Sequence, residues 1–100
     1  MMILTAAKAT VFYGSLHANA AIQVKKMTIE EELRSETEKW LQKAVAERAK
    51  IKVSNDYTKN IDAYISDSFH FMKKNDLVHA FEAVIWAWSW IEIGKEQKII

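Results

Sequence analysis

The hydrophobic positions of this chain repeat at helical spacing from Met27 onward. Apolar side chains recur every three to four residues, the period of an amphipathic α-helix, over a first segment of about 29–52. The residues of this stripe are Ile29, Leu33, Trp40, Ala44 and Ile51, with Thr37, Leu41 and Val45 alongside. Thr28 directly precedes this stripe, and Glu31 lies three residues after Thr28, which is the spacing of a capping box. The pattern therefore predicts a helix that begins directly after Thr28.

A second apolar stripe follows a cluster of turn-forming residues, Ser54, Asn55 and Asp56, which favour turns and helix N-caps. The stripe covers about 56–74. Its members are Tyr57, Ile61, Tyr64, Ile65, Ser68, Phe69 and Met72. Asp76 is suited to cap a third helix over about 77–94. Because the connection between these two helices is very short, we expect them to be antiparallel neighbours.

The third predicted helix carries apolar residues on two sides. At roughly 100° per residue, one narrow arc forms the predicted core stripe. This arc contains Leu77, Phe81, Val84, Trp88 and Ile91. The opposite side forms a candidate interface. Its residues are His79, Glu82, Ala83, Trp86, Trp90 and Ile93. A contiguous exposed aromatic patch is uncommon on a monomer. Three interpretations stay open: this side is covered within the chain, by a second copy, or by a hydrophobic ligand or another protein.

Composition supports an all-α fold, an antiparallel three-helix bundle over residues 27–100. The chain of 100 residues contains no proline and only two glycines, whereas sheet proteins depend on turn-forming residues. Residues 1–26 are set apart as an N-terminal extension, either weakly ordered or an accessory helix; translation from Met27 is another interpretation. A secretion signal ending at the Ala-Asn-Ala of Ala18–Ala20 is disfavoured, because Lys8 is the only early positive charge.

Charge and cysteine content narrow the function classes. Fourteen basic and thirteen acidic residues give a net charge of +1, which does not favour nucleic acid or an anionic membrane. A nucleic-acid accessory role is therefore the weakest of the functional interpretations. No apolar run approaches the roughly 18 residues of a membrane span. The chain has no cysteine, which excludes disulfides and fits an expected cytoplasmic location.

Candidate chemistry is sparse, and we expect neither an enzyme nor a cofactor. Asp67 and His70, and likewise His79 and Glu82, stand three residues apart and have the ligand types of a metal site. Both histidines, however, face away from their helices' apolar stripes, so no metal site is predicted. Asp67 is instead expected to hydrogen-bond a neighbouring tyrosine or tryptophan. No serine is paired with an activating histidine, and no glycine-rich phosphate loop is present.

Helices two and three resemble the archaeal domain-of-unknown-function family 357. The resemblance is carried by Tyr64, Asp67, Ser68 and Phe71, which match a "Y-x-x-D-[AS]-x-x-F" helix, by Asp76 after a tight turn, and by an alanine- and aromatic-rich helix ending at Gly94. It covers roughly Ile29–Gly94. It implies an archaeal, cytoplasmic three-helix bundle and supplies no activity.

These observations predict a non-catalytic interaction module. A homodimer through the Trp86, Trp90 and Ile93 side of the third helix is the first expectation, with another protein as the alternative partner. The rival is an adaptor or ligand-binding bundle that accepts a hydrophobic molecule.

Overall fold

The computed structural model describes residues 27–100, which form an all-α three-helix bundle. The helices are α1 (Ile29–Ala49), α2 (Asp56–Lys73) and α3 (Leu77–Glu96). No strand occurs within these residues, so the all-α prediction is confirmed. The expectations about the N-terminal extension, residues 1–26, lie outside the described residues.

Polar side chains fix the start of each helix. The Thr28 hydroxyl accepts a hydrogen bond from the Glu31 amide at 3.0 Å, and the Glu31 carboxylate accepts one from the Thr28 amide at 2.9 Å. Asn55 and Thr58 form the same reciprocal arrangement at the start of α2. Asp76 caps α3 through the His79 amide. The predicted starts of all three helices therefore agree with the structure, because capping is a local interaction that the sequence displays directly.

The α2–α3 connection is a tight turn. Asn75 has φ 60, a left-handed conformation that asparagine tolerates better than most residues. Its side chain also accepts a hydrogen bond from Arg34 of α1. This turn makes α2 and α3 antiparallel neighbours, as the sequence predicts.

α3 is the central element of the bundle. It packs against both α1 and α2, whereas α1 and α2 touch each other far less. The core cluster that unites the three helices consists of Leu41, Ala44, Ile61, Ile65, Val84, Ala87 and Ile91. A helix with two neighbours needs two apolar sides, which explains why α3 is apolar around most of its circumference.

The buried side of α3 is rotated from the predicted core stripe. Ala80, Ala87 and Gly94, which flank the predicted arc or lie outside it, are buried, while Phe81 and Trp88 are only half-buried. The small residues allow the neighbouring helices to approach closely, and the large rings lie at the edges of the contacts. Leu77, Val84 and Ile91 of the predicted stripe are buried as expected, but the prediction is wrong for the large rings of Phe81 and Trp88.

Ion pairs join the C-terminal end of α1 to the other two helices. Arg48 of α1 contacts Asp62 of α2 at 2.6 Å, and Lys95 of α3 contacts Glu47 of α1 at 2.6 Å. The hydrogen bond from Lys95 lowers the pKa of Glu47 from its usual value and raises the pKa of Lys95. These contacts connect α1 to both other helices where the chain leaves α1.

Candidate interaction surface

An aromatic seam runs along one side of the α2–α3 hairpin. Tyr57, Tyr64 and Phe71 follow one another at seven-residue spacing on α2, which places them on the same side of the helix. Facing them in antiparallel order on α3 are Trp90, Trp86 and His79. We call these six residues the aromatic seam.

The ring contacts of the aromatic seam are close. The centroids of Tyr57 and Trp90 lie 4.6 Å apart, and those of Tyr64 and Trp86 lie 6.1 Å apart in a stacked arrangement. At the turn end, Phe71 and His79 are 5.4 Å apart. Aromatic pairs at such distances contribute about 0.5–1.5 kcal/mol beyond their buried area. The seam therefore holds α2 and α3 together on the side away from α1.

Tyr57 anchors the seam at the open end of the hairpin. Its hydroxyl donates a hydrogen bond to the Trp90 carbonyl oxygen at 2.7 Å. Its ring lies so close to Gly94 that a Cβ atom there would come within 2.7 Å of Tyr57 Cε1. Gly94 is therefore required for this close approach.

Trp86 and Ile93 form an exposed apolar pair beside the seam. Trp86 is 53% exposed although one face of its ring stacks on Tyr64, and Ile93 is 52% exposed. They are seven residues apart, about two helical turns, and so share one side of α3. We call Trp86 and Ile93 the α3 face.

Four of the six predicted interface residues are exposed, and two are not. His79, Glu82, Trp86 and Ile93 are exposed on α3. Ala83 is only 8% exposed and Trp90 is half-buried, because α2 covers this flank through Tyr57 and Tyr64. The predicted surface is thus partly covered within the chain and narrows to the α3 face and its polar neighbours. Trp88, on the other side of α3, packs against Trp40 of α1, and their ring centroids lie 5.4 Å apart.

His79 is engaged by the carboxylate that caps α3. Its Nδ1 lies 2.8 Å from Asp76 Oδ2. The hydrogen bond with Asp76 raises the pKa of His79, and the same bond lowers the pKa of Asp76. This pair strengthens the start of α3 and leaves His79 at the edge of the candidate surface.

The described residues hold no cluster suited to a metal. Within residues 27–100, no group of three or more histidine, aspartate or glutamate side chains is placed to bind one ion. Asp67 is exposed and makes no hydrogen bond to a tyrosine or tryptophan in this part of the chain, contrary to expectation. Among helices α1–α3, none is both long and apolar enough to cross a membrane.

An open groove between α1 and α2 is not evident from the sequence. Leu41 and Val45 of α1 and Phe69 and Met72 of α2 line this groove, which has a volume of about 450 Å³. The sequence hints at this groove because Phe69 and Val45 lie at the edges of their apolar stripes. The groove could not be predicted from these positions, because the limited contact between α1 and α2 is a property of the whole bundle.

The family assignment agrees with this fold. Residues 13–100 match a family model described as "Protein of unknown function (DUF357)". The chain belongs to the DUF357 family. The resemblance noted for helices two and three is thereby confirmed.

A solved relative of this DUF357 chain supports the architecture. A DUF357 protein from Archaeoglobus fulgidus, whose crystal structure has been solved, has 51% sequence identity to this chain, and the two structures superpose with a TM-score of 0.68. The match covers 71% of this chain and 93% of that chain. No curated protein matches the chain.

Proposed function

We propose that this DUF357 protein is a non-catalytic protein–protein interaction module that forms a homodimer through the α3 face. The observation that carries the proposal is the position of Trp86, half-exposed yet held in place by stacking on Tyr64. Tryptophan is enriched among the residues that dominate binding energies. A ring that is already ordered loses little conformational entropy when a partner covers it.

The spacing of the α3 face suits a two-fold interface. In a symmetric dimer the same surface patch serves both subunits. If two copies of α3 cross in antiparallel orientation, Trp86 of one copy can pack on Ile93 of the other, and the reverse contact follows from the symmetry. Glu82 lies on the exposed side of the same helix and provides a polar rim.

The absence of an enzymatic role is part of the proposal. Several side chains of the types that perform acid–base chemistry have structural partners: Asp76 caps α3 and binds His79, and Glu47 binds Lys50 and Lys95. The buried hydroxyl of Ser68 donates to the Ala80 carbonyl oxygen at 2.7 Å. These contacts support a framework role for those side chains.

Light scattering on variants tests the location of the interface. Trp86→Glu places a charge at the centre of the proposed interface, so we expect the dissociation constant of the dimer to rise at least about 30-fold, equivalent to about 2 kcal/mol. The matched control is Val53→Glu, since Val53 is 42% exposed and lies outside the α3 face. A dimer that tolerates Trp86→Glu as well as Val53→Glu would contradict the proposed interface.

A further inference from the structure

We propose that the groove between α1 and α2 is the docking site of the chain's own residues 11–24. This contact is independent of the α3 face and would make the N-terminal extension a fourth element of the fold. The proposal rests on the open groove, on the reach and apolar pattern of the preceding segment, and on charge.

The groove presents a continuous apolar floor with few polar groups. Leu41 is buried, Met72 is half-buried, and Val45 and Phe69 are 45% and 47% exposed. Glu38 and Gln42 form its polar edge. Exposed apolar side chains that converge from two helices are the feature of a groove that accepts an amphipathic segment.

The segment before α1 carries a matching apolar pattern. Phe12, Leu16, Ala20 and Val24 follow one another at a spacing of four residues, which is the spacing of one helix side. Ser15, His17 and Asn19 between them are polar, and Val11, Tyr13 and Ile22 are the larger apolar residues outside this line. The pattern indicates an amphipathic segment that needs one apolar surface to bind.

The reach of the segment fits the groove. At 1.5 Å per residue, fourteen helical residues span about 21 Å. Val45 lies 16 residues beyond Ile29, or about 24 Å along α1 by the same rise. Residues 25–28 provide a connection of ordinary length for two antiparallel helices. Residues 11–24 can therefore run back along α1 and bring Phe12 and Leu16 to the groove.

Charge favours the same occupant over a second copy of the described domain. Residues 1–26 contain Lys8, Lys25 and Lys26 and no acidic residue, whereas residues 27–100 contain 11 basic and 13 acidic residues. The basic pair Lys25 and Lys26 directly precedes the acidic first turn of α1. Opposite charges on the segment and the domain favour their association, although salt weakens this contribution.

The extent of the family match indicates that part of this segment belongs to the family unit. The model begins at residue 13, well before α1. The matched region therefore includes Leu16, Ala20 and Val24 together with all four groove residues.

Cysteine cross-linking in the full-length chain tests the proposal, because the natural sequence contains no cysteine. Leu16 lies eight residues before Val24, about 12 Å along a helix, which brings it level with Glu38, about 14 Å beyond Ile29 along α1. Leu16→Cys is therefore combined either with Glu38→Cys at the edge of the groove or with Lys39→Cys, the next residue of α1, which is turned about 100° away from the groove. Both positions are exposed and almost equally distant from the start of α1, so a freely sampling segment would close both disulfides at similar rates. We expect the 16–38 disulfide to form within one chain at least ten times faster than the 16–39 disulfide.

Two results would overturn the proposal. Equal rates for the two pairs would show that residue 16 has no preference for the groove. A 16–38 disulfide that forms only between chains, as a covalent dimer, would assign the groove to the segment of a second copy.

A thermodynamic cycle gives an independent measurement. Leu16→Asp and Val45→Glu are made singly and together in the full-length chain. If residues 11–24 dock in the groove, each single change weakens the same contact and lowers Tm, and the double change lowers it by clearly less than the sum. Strict additivity would contradict the docking.

Discussion

Asp76 shows how one side chain can set both the fold and the charge at a helix start. It caps α3 through the His79 amide and also binds the His79 ring. The sequence displays this arrangement, since a turn, an aspartate and a residue three positions later are local features. The hydrogen bond from Tyr57 to Trp90 could not be predicted in the same way, because it joins residues 33 positions apart.

The Asp76–His79 pair predicts a specific pH dependence of stability. The pKa of His79 is raised from 6.5, so its contribution is complete below pH 6.5 and is lost as the pH rises through the raised value. The pKa of Asp76 is lowered from 3.8, so its contribution is present above pH 3.8 and is lost as the pH falls through the lowered value. The pair therefore stabilises α3 most between these two pH values. The effect is small because both side chains are exposed.

Asp76→Asn tests this dependence while it preserves the N-cap, since asparagine caps helices as well as aspartate does. We expect an NMR titration to give His79 a pKa above 6.5 in the natural chain and a lower pKa in the variant. The difference in Tm between the two proteins should be largest between pH 4 and pH 6.5. An unchanged His79 titration in Asp76→Asn would show that Asp76 is not the cause of the shift.

α3 shows at the scale of one element why the hydrophobic pattern gives the helix but not its orientation. The pattern identified a helix with two apolar sides, and the structure contains that helix. The helical wheel ranked positions by hydrophobicity and so centred the core on Phe81, Trp88 and their neighbours. The structure centres it on small residues, including Ala80, Ala87 and Gly94, because close packing against two helices depends on side-chain volume as well as hydrophobicity.

Replacing a small residue on this packed side by a larger one should therefore lower the stability of the fold. Ala87 is fully buried, so we expect Ala87→Leu to destabilise the fold by about 1–3 kcal/mol through overpacking. For a domain of this size, each kcal/mol lowers Tm by roughly 4–8 °C. Thermal denaturation followed by circular dichroism measures the shift.

Ala46→Leu is the matched control, since Ala46 is an exposed alanine inside α1. Alanine and leucine have similar helix propensities, so this change should alter the free energy of unfolding by no more than about 0.5 kcal/mol, which shifts Tm by at most about 4 °C. Equal Tm values for the two variants would contradict the assignment of Ala87 to a tightly packed contact.

At the scale of the whole molecule, three helices with α3 in the centre leave apolar surfaces exposed on residues 27–100. The groove between α1 and α2 and the α3 face are two of them. The three-helix architecture could be predicted from stripes, caps and short connections. The division of the aromatic residues between core, seam and surface could not, because it depends on how far α2 extends over the flank of α3. α2 covers Ala83 and part of Trp90 and leaves Trp86 and Ile93 exposed.

The proposed homodimer is tested most directly by the mass of the natural chain in solution. Sedimentation equilibrium over a range of concentrations should show a mass that rises from the 11.6 kDa of one chain to twice that value. A fit to a monomer–dimer equilibrium then gives the dissociation constant. A mass of 11.6 kDa at every concentration would contradict the homodimer and the role proposed for the α3 face in forming it.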